Sequence, residues 1–542
     1  MAVLGAGGGT SSYEEIENTD LVILWGSNAR NAHPIFFHHL LRGVSRGARL
    51  YAVDPRRSES AQWADTWLGI DVGSDIALAN AMARVIIDEG LAHRDFIDRA
   101  TTGFEAYAET VSTYTLGRAE EITGIPGAVI AETAVSYATA STAQICWTLG
   151  ITEHHTATDN VLALISLALL TGHVGRYGSG LVPVRGQNNV QGGGDMGALP
   201  NKLPGFADVE NADDRGRFEA VYGASIPAKR GWHLTQMFEA MDAGKLRGLY
   251  VIGENPAQSE ADTAHARRAL GGLDFMVVQD IFLTATAEMA DVVFPAAADW
   301  CEAEGTVTSS ERRVQRVRRA LAPPGEARTD IDILTALAAA MGTDWGRPSA
   351  EQLWDELRSL SAVHAGMSYR RLDELGGLQW PCPDEDHPGS QFLHARLWEP
   401  EVATPAPFMP VEWLPPLDRL TDEYPLRLTT GRHLDGYNTG VQSGGFDSPM
   451  RNGCTLDLAP EDAERLGLAP GDRVRVVSRR GSVEAPVALD AGLRPGLAFM
   501  ALHYPDDVDV NQLTLDQWDP KSGTAEFKAT AVRVERLEAM TS

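Results

Sequence analysis

Residues 21–30 have the sequence LVILWGSNAR, in which five apolar residues precede a loop that begins at Gly26. A helical pattern follows from about Pro34 to Ser45, and the next apolar run, LYAV at residues 50–53, ends at Asp54. Short β-rich runs that alternate with helical patterns are typical of parallel βαβ units. This stretch therefore predicts an α/β fold built on a doubly wound, Rossmann-like sheet.

The same pattern recurs later in the chain. The run LYVI precedes Gly253, and the run FMVVQ precedes Asp280. Asp280 follows Gly253 by 27 positions, and Asp54 follows Gly26 by 28. We interpret the matched spacing as an internal repeat, which predicts two pseudo-repeated Rossmann-like domains.

Each repeat combines a loop glycine with an acid at the end of the next strand. At the carboxyl ends of parallel strands, a loop glycine lets backbone N–H groups approach phosphate, and the acid can bond a ribose hydroxyl. Neither loop has the GxGxxG motif of dinucleotide-binding loops. For either loop alone, a simple structural turn is therefore the alternative to a nucleotide-binding site. Two copies favour two bound nucleotide moieties. The candidate residues are Gly26, Ser27, Asn28, Asp54 and Arg56 in the first half, and Gly253, Glu254, Asn255, Gln279 and Asp280 in the second.

The last part of the chain has a different character. Residues 405–422 are rich in proline and acidic residues, which predicts a linker. Beyond them, short apolar runs at 426–430, 473–478 and 483–488 alternate with turn-like sequences, and this predicts a β-barrel-like domain. The predicted domains are residues 1–183, 184–403 and 420–542.

Composition limits the classes of function. The formal charge of -28 argues against binding of nucleic acid or an anionic membrane, and a solvated acidic surface is its ordinary cause. The four cysteines include no CxxC pair, and their spacing does not fit a zinc ribbon or an iron–sulfur cluster. The spacing also indicates no disulfide framework. No secretory signal is visible, and the longest apolar run, residues 161–170, is too short to span a bilayer. The cytoplasm is therefore the default expectation.

Residues 184–192, VRGQNNVQG, concentrate amide side chains and an arginine between glycine-rich flanks. Burying so many polar groups without partners would be costly, so this stretch is not a core strand. A solvated loop is the alternative, but such loops seldom gather long amides without serine, lysine or glutamate. The stretch predicts a ligand-binding loop.

This loop resembles that of the molybdopterin-dependent formate dehydrogenases, and further motifs of the chain match the same family. The resemblance runs from about residue 8 to residue 536. The matching motifs are LLTGHVGRYGSG (169–180), VRGQNNVQG with DMGALP (184–200), VVQDIFLTATAEMADVVFP (277–295), EAEGTVTSSERRVQ (302–315) and NQLTLDQWDPKSGTAEFKATAVRVE (511–535).

The resemblance implies a bis-molybdopterin guanine dinucleotide cofactor with molybdenum or tungsten. Its two guanosine ends would bind to the two repeated glycine–acid units. It implies that Arg185 orients formate, which suits a planar guanidinium that can hold a carboxylate bidentately. Gln187 would line the same site. Further cofactor contacts implied are Gly186, Thr430, Gly431, Arg432, Asn511, Phe527 and Lys528.

The chain also departs from the family. His173 and Tyr177 stand where relatives typically have asparagine and proline. In the family, a cysteine or selenocysteine followed by histidine precedes the segment that matches Ala2–Gly5, and a four-cysteine cluster domain lies further upstream. We therefore assign no metal ligand and no iron–sulfur cluster to this sequence. A selenocysteine codon interpreted as a stop, a split gene and a degenerate paralogue are three hypotheses for that departure.

The expected partners are formate, a segment or subunit that supplies the metal ligand and the cluster, and NAD-, flavin- or iron–sulfur-binding electron-transfer subunits. Because that segment would supply the chemical step, we expect the isolated chain to be inactive. His154 and His155 follow the third buried strand, so they could approach the pterins, but a polar pair at a helix start is the more ordinary interpretation. The alternatives are another molybdopterin oxidoreductase, such as an assimilatory nitrate reductase, or a cofactor-binding paralogue without turnover; the RGQNN string favours formate.

Overall fold

The computed structural model describes residues 2–434, 436–440 and 453–537. Two compact units can be separated within the chain. Unit 1 comprises Met1–Gly186, Gln258–Ala264 and Phe392–Ser542, and unit 2 comprises Gln187–Ala257 and His265–Gln391. The boundaries of the three predicted domains stay a prediction.

Unit 1 contains a five-stranded sheet in which every neighbouring pair is parallel. Its strands are β1 (Leu21–Trp25), β2 (Arg49–Val53), β3 (Thr66–Leu68), β4 (Ala143–Trp147) and β5 (Gly180–Pro183). The order is β3-β2-β1-β4-β5. The chain therefore runs from β1 towards one edge and later returns to fill the other, so the topological switch point lies between β1 and β4.

Both faces of this sheet are covered, which explains why its strands are continuously apolar. Ile23 packs into a core with the helices Asp75–Asp88 and Ala157–Thr171. Leu24 faces the other way, into a core with the helix Pro34–Ser45. The predicted doubly wound sheet and this last helix are confirmed.

Short helices and strands complete the α/β part of unit 1. The further helices are Tyr13–Ile16, Ala29–Ala32, Arg94–Ala100, Phe104–Ser112, Leu116–Thr123, Gly127–Thr139 and Leu149–Thr152, with 3-10 turns at Ala61–Trp63 and Ala395–Trp398 and a paired set of short strands at Thr101–Thr102 and Ala406–Pro407.

Among the described residues, no helix of the protein is both long and apolar enough to cross a membrane.

The predicted linker, residues 405–422, is packed against the α/β part of unit 1. The Asn80 side chain donates to the carbonyl oxygen of Val411 at 2.9 Å, and the Trp413 indole donates to the carbonyl oxygen of Gly73 at 2.9 Å. Phe408 is buried. Prolines limit regular structure here to the short strand Ala406–Pro407, but the apolar side chains between them still anchor the segment.

Unit 2 contains a three-stranded parallel sheet made of β6 (Gly248–Ile252), β7 (Phe275–Asp280) and β8 (Val292–Pro295), with β7 in the middle. One face, with Met276 and Val278, packs on the helices Leu234–Asp242 and Thr263–Gly271. The predicted second α/β lobe is confirmed, with a smaller sheet than the first.

The rest of unit 2 is a small antiparallel sheet surrounded by helices. Its strands are β9 (Gly305–Thr308), β10 (Arg313–Val317) and β11 (Leu378–Gln379). The other elements between residues 187 and 391 are the helices Val190–Asp195, Ala212–Tyr222, Pro256–Ser259, Ala285–Glu288, Asp330–Ala340, Ala350–Leu360 and Tyr369–Leu375, the 3-10 turn Pro204–Phe206, and the short strands Lys202–Leu203 and Ala207–Asp208.

The C-terminal part of unit 1 is a closed six-stranded barrel, which confirms the predicted barrel-like domain. Its strands are β12 (Leu426–Gly431), β13 (Leu456–Leu458), β14 (Arg473–Val477), β15 (Ser482–Leu489), β16 (Leu497–Ala501) and β17 (Thr530–Arg536), in the order β12-β16-β13-β15-β14-β17. The helix Pro460–Leu466, the 3-10 turn Val510–Gln512 and the paired short strands Leu515–Trp518 and Ala525–Glu526 complete it.

Candidate functional site

A pocket lies at the carboxyl ends of the strands of the first sheet, within unit 1. It encloses about 1000 Å³ of atom-free space, counting the part that is open to solvent. Residues after β1, β2, β4 and β5 line it together with residues of the barrel. This is the switch-point crevice where open α/β sheets bind their ligands. The predicted residues in its lining are Gly26, Asn28, Asp54, Arg56, Gly186, Thr430, Gly431, Arg432 and Lys528.

The loops after β1 and β4 touch through their backbones at the switch point. Gly26 has a φ of 57°, and the Gly150 N–H donates to its carbonyl oxygen at 3.2 Å. A Cβ on Gly150 would lie 2.4 Å from that oxygen, and a Cβ on Gly26 would lie 2.9 Å from the Gly150 carbonyl carbon. Glycine is therefore required at both positions, because a side chain on either would push the loops apart.

Three sets of hydrogen bonds fix the first glycine–acid unit. The Gly26 N–H donates to Val53 O at 2.8 Å, and the Arg56 N–H donates to Asp54 Oδ1 at 2.9 Å. Asn28 Oδ1 accepts the Ser60 hydroxyl at 3.0 Å and the Ser60 N–H at 3.3 Å.

Unit 2 repeats the same hydrogen bonds at the equivalent positions. The Gly253 N–H donates to Gln279 O at 2.9 Å, and the Phe282 N–H donates to Asp280 Oδ1 at 3.2 Å. Asn255 Oδ1 accepts the Thr286 hydroxyl at 2.8 Å and the Thr286 N–H at 3.1 Å. Because side-chain bonds recur along with the strands, the predicted internal repeat holds at the level of individual atoms.

Asp54 is a carboxyl group at the pocket wall that the fold does not neutralise. Burial raises its pKa to about 6, although the backbone bond from Arg56 and the Arg56 charge favour the ionised form. A carboxylate held in this way is suited to accept hydrogen bonds from a ligand such as a ribose or a base. The equivalent Asp280 in unit 2 also has its pKa raised by burial.

Cationic side chains line the same pocket. The Arg56 guanidinium stacks 3.8 Å from the centre of the Phe499 ring. Arg432 Nη2 donates to Asn438 Oδ1 at 2.8 Å, and Lys528 Nζ donates to Thr430 O at 3.1 Å. Three cations around one crevice favour an anionic ligand, such as the diphosphate of a dinucleotide.

Two buried polar atoms beside the pocket have no hydrogen-bond partner among the described residues, Ser27 Oγ and His33 Nδ1. Burial lowers the pKa of His33 to about 4, so the ring is neutral near pH 7. Its Nε2–H then donates to Arg185 O at 2.7 Å, which leaves Nδ1 as an acceptor. Because His33 lines the pocket, a ligand donor could satisfy it. With the glycine cradle and the cations, these atoms fit a nucleotide-bearing cofactor.

The predicted catalytic residues lie just beyond β5. The partly buried Arg185 stands between Val184 and Gly186, which both line the pocket, and its Nη2 donates to Gly7 O at 3.2 Å. Gln187 is exposed and is the first residue of unit 2. The structure therefore places Arg185 next to the pocket.

Some predicted residues lie outside the pocket lining. Asn511 uses its side-chain amide to hold the carbonyl oxygens of Gln258 and Ser259 at 3.3 and 3.1 Å. Phe527 is bonded through its backbone, since its carbonyl oxygen accepts the Thr430 hydroxyl at 3.0 Å. The second-half residues, Gly253, Glu254, Asn255, Gln279 and Asp280, form their own group in unit 2.

Sequence reasoning missed several residues of the lining. His154, which the sequence places in a polar pair at a helix start, is buried in the lining, and the next long helix begins only at Ala157. Asp75 and Phe499 line the pocket too. The adjacent acid and histidines at 153–155 were the available signal, but their partners lie too far away in sequence to be recognised.

Two family models match the chain. The model described as molybdopterin oxidoreductase matches residues 5–340, and the model described as molydopterin dinucleotide binding domain matches residues 426–531. The first covers the α/β lobes and the second covers most of the barrel.

Curated relatives match over nearly the full length of the chain. The F420-dependent formate dehydrogenase 2 subunit alpha of Methanococcus maripaludis is 40% identical over 98% of this chain and 79% of its own. The F420-dependent formate dehydrogenase subunit alpha of Methanocaldococcus jannaschii is 38% identical over 99% and 79%. Formate dehydrogenase H of Escherichia coli is 36% identical over 98% and 75%.

Among solved structures, the acetylene hydratase of Pelobacter acetylenicus is similar with a TM-score of 0.76 and 20% sequence identity, over 99% of this chain and 80% of that one. At this identity the likeness concerns the fold alone.

Proposed function

The chain belongs to the molybdopterin oxidoreductase family, and from this premise we propose that it is the catalytic subunit of a formate dehydrogenase, which oxidises formate to carbon dioxide. Its cofactor is bis-molybdopterin guanine dinucleotide with molybdenum. When bound, this cofactor supplies the redox centre that takes two electrons from formate.

The placement of Arg185 carries this proposal. It stands in the RGQNN loop, beside the pocket, in a chain 36–40% identical to formate dehydrogenases. Its guanidinium stays charged at any working pH and can hold the two oxygens of a carboxylate. The bond from His33 to its backbone carbonyl fixes the start of the loop. Arg185 thus binds and orients formate, and Gln187 completes the polar lining.

The two glycine–acid units hold the guanosine ends of the cofactor. In unit 1, Asp54 accepts from the nucleoside, while Arg56, Arg432 and Lys528 neutralise the diphosphate. In unit 2, Gly253 and Asp280 form the equivalent cradle, since their hydrogen bonds are the same.

Other polypeptide parts complete the enzyme in this proposal. A segment or subunit supplies the metal ligand and an iron–sulfur cluster, and electron-transfer subunits pass the electrons on. All four cysteines are free, which agrees with a reducing compartment such as the cytoplasm.

Replacing Arg185 with lysine in the assembled enzyme tests the role of the guanidinium. Lysine keeps the charge but loses the bidentate geometry, so the KM for formate should rise about 10- to 100-fold. Pterin content should stay constant, and the matched Arg57→Lys variant, at an exposed position, should behave like the parent. Loss of pterin, an unchanged KM, or turnover of nitrate instead of formate would contradict the proposal.

A further inference from the structure

His154 is enclosed between two hydrogen-bond acceptors. Its Nδ1 lies 3.1 Å from Glu526 Oε1, and its Nε2 lies 3.1 Å from Gly150 O. A backbone carbonyl can only accept, so Nε2 must carry a proton. Only 2% of the His154 surface is exposed.

Glu526 is ionised, so Nδ1 must carry a proton as well. The carboxylate accepts backbone N–H groups from His155, Lys528 and Ala529 at 3.0, 3.2 and 3.1 Å. Three such donors stabilise the charged form. Burial opposes that form, but the His154 charge, the side-chain bonds from His154 and His155 and the His155 backbone bond outweigh it and hold the pKa of Glu526 far below its usual value. With acceptors at both ring nitrogens, the geometry requires the imidazolium form of His154.

The charges that act on His154 agree with this form. Burial alone would lower its pKa, but Glu526 and Asp75 outweigh burial and raise it. Asp75 belongs to the helix Asp75–Asp88 and accepts the indole N–H of Trp25 at 2.8 Å. His155 shares the Glu526 carboxylate at 3.3 Å.

The same three-residue stretch holds a cation of the pocket. Glu153 Oε2 lies 2.7 Å from Lys528 Nζ, next to the His154–Glu526 pair. The stretch Glu153–His155, which includes His154, therefore holds Glu526 and Lys528. Through its Nε2, His154 also holds the loop of Gly150, and this loop contacts Gly26. The imidazolium ring of His154 thus connects the sheet side of the pocket to its barrel side.

The geometry points to His154 as a positioning residue that remains an imidazolium at neutral pH and ties the β4 loop to the segment Ala525–Lys528. It thereby fixes the Gly150 backbone and the Lys528 ammonium in the dinucleotide pocket. The identity of the ligand rests on the proposed function, whereas the protonation state and the tie do not. Without the charge, the two walls are expected to separate and the cofactor to dissociate faster.

The direct test is ¹⁵N NMR of histidine-labelled full-length chain, with the His154 signal assigned by its loss in His154→Gln. Both ring nitrogens should carry protons at pH 7.5, where an unperturbed histidine is mostly neutral. A neutral ring at that pH would overturn the inference. Glu526→Gln, which keeps the shape but removes the charge, should move the signal towards the neutral form.

Cofactor retention tests the positioning role. In the assembled enzyme, His154→Gln should lose pterin at least about 10-fold faster during dialysis, while the matched His38→Gln, at an exposed position, should change the loss rate less than 3-fold. His154→Lys, which restores a cation, should recover part of the retention. Equal rates in parent and His154→Gln, or equal effects of the two glutamine variants, would overturn the role. Because none of these measurements uses formate, failure of the formate dehydrogenase proposal gives a different pattern of results.

The pH dependence of stability gives an independent measurement. A raised histidine pKa contributes stability that is present below its usual value of about 6.5 and is lost as pH rises through the folded-state value. The melting temperature of the parent should therefore fall above pH 6.5 more steeply than that of His154→Gln. Parallel curves for the two proteins would overturn the inference.

Discussion

At the scale of the residue, Asp54 shows how a ligand site is kept at a cost in stability. Its pKa is raised to about 6 by burial, so near neutral pH the folded chain holds a carboxylate whose burial makes folding less favourable. A bound nucleoside could supply the missing donors. The residue is thus better suited to the loaded protein than to the cofactor-free one.

Asp54→Asn should stabilise the cofactor-free chain at high pH. A raised carboxyl pKa gives stability below the unfolded value of about 4 that is lost as pH rises through about 6. The variant avoids this loss, so its free energy of unfolding should exceed that of the parent by roughly 1–3 kcal/mol at pH 8, discounted for partial exposure. Denaturant unfolding at pH 4 and pH 8 checks this.

No difference is expected at pH 4, which serves as the internal control. Asp95→Asn, at an exposed helical position, should leave the curves at both pH values unchanged. A variant less stable than the parent at pH 8 would show that the Asp54 carboxylate has stabilising partners in the cofactor-free chain.

The sequence predicted some site residues and missed others for a physical reason. Gly26 and Asp54 could be predicted because strand ends and turn residues are local signals. His154 could not, because its environment depends on Glu526 and Asp75, which no local pattern connects to it. Buried ion pairs between distant segments are set by tertiary packing alone.

At the scale of the element, the contact between the loops after β1 and β4 determines the shape of the crevice. Gly150→Ala would place a Cβ 2.4 Å from Gly26 O, so one backbone must move. We expect a loss of about 1–3 kcal/mol in the free energy of unfolding and weaker cofactor retention. Melting temperature and pterin content measure the two effects.

Gly117→Ala is the matched control. Gly117 lies in the helix Leu116–Thr123, and an added Cβ would meet nothing within 4 Å. Alanine should stabilise that helix by about 0.5–1 kcal/mol. If Gly150→Ala were as harmless as Gly117→Ala, the close approach of the two loops would be wrong.

The repeated hydroxyl–asparagine pair allows a symmetric experiment. Ser60→Ala and Thr286→Val each remove one donor to an asparagine Oδ1 whose backbone donor remains. Each also removes the acceptor of a backbone N–H, that of Arg30 or that of Ala257. Each should lower the free energy of unfolding by about 1–3 kcal/mol, because a backbone donor is left unsatisfied, and the double variant should show the sum, because the pairs share no partner. Strong non-additivity in melting experiments would contradict two independent copies.

The linker shows where element prediction from composition reaches its limit. Residues 405–422 have the proline content of a flexible connection, yet Val411 and Trp413 form specific bonds with the α/β part of unit 1. Composition indicates that regular structure is scarce. It does not indicate whether an irregular segment is packed.

At the scale of the whole molecule, the charge of -28 opposes the approach of an anionic substrate. If formate is the substrate, salt should screen this repulsion, and kcat/KM for formate should rise up to about 3-fold between 0.02 and 0.3 M ionic strength. Initial rates in an inert salt measure it. A fall instead would mean that a local positive field around the pocket controls capture.

The fold class was predictable at this scale because the periodicity of the runs identifies parallel strands and the repeat identifies two lobes. The number of strands in the second lobe was not predictable. The runs LYVI and FMVV are apolar enough to belong to a larger sheet than the one observed. Closure of the barrel was predictable only as a tendency of short strands with tight turns.

The walls of the pocket contain both Gly26 and Lys528, and His155 and Glu526 are bonded across 371 positions of sequence. A ribosome therefore makes the first wall long before the second. The crevice does not exist on the nascent polypeptide until residue 528 has left the exit tunnel and folded back. Cofactor loading at this pocket must accordingly follow the synthesis of residue 528, long after the sheet that forms the first wall has been made.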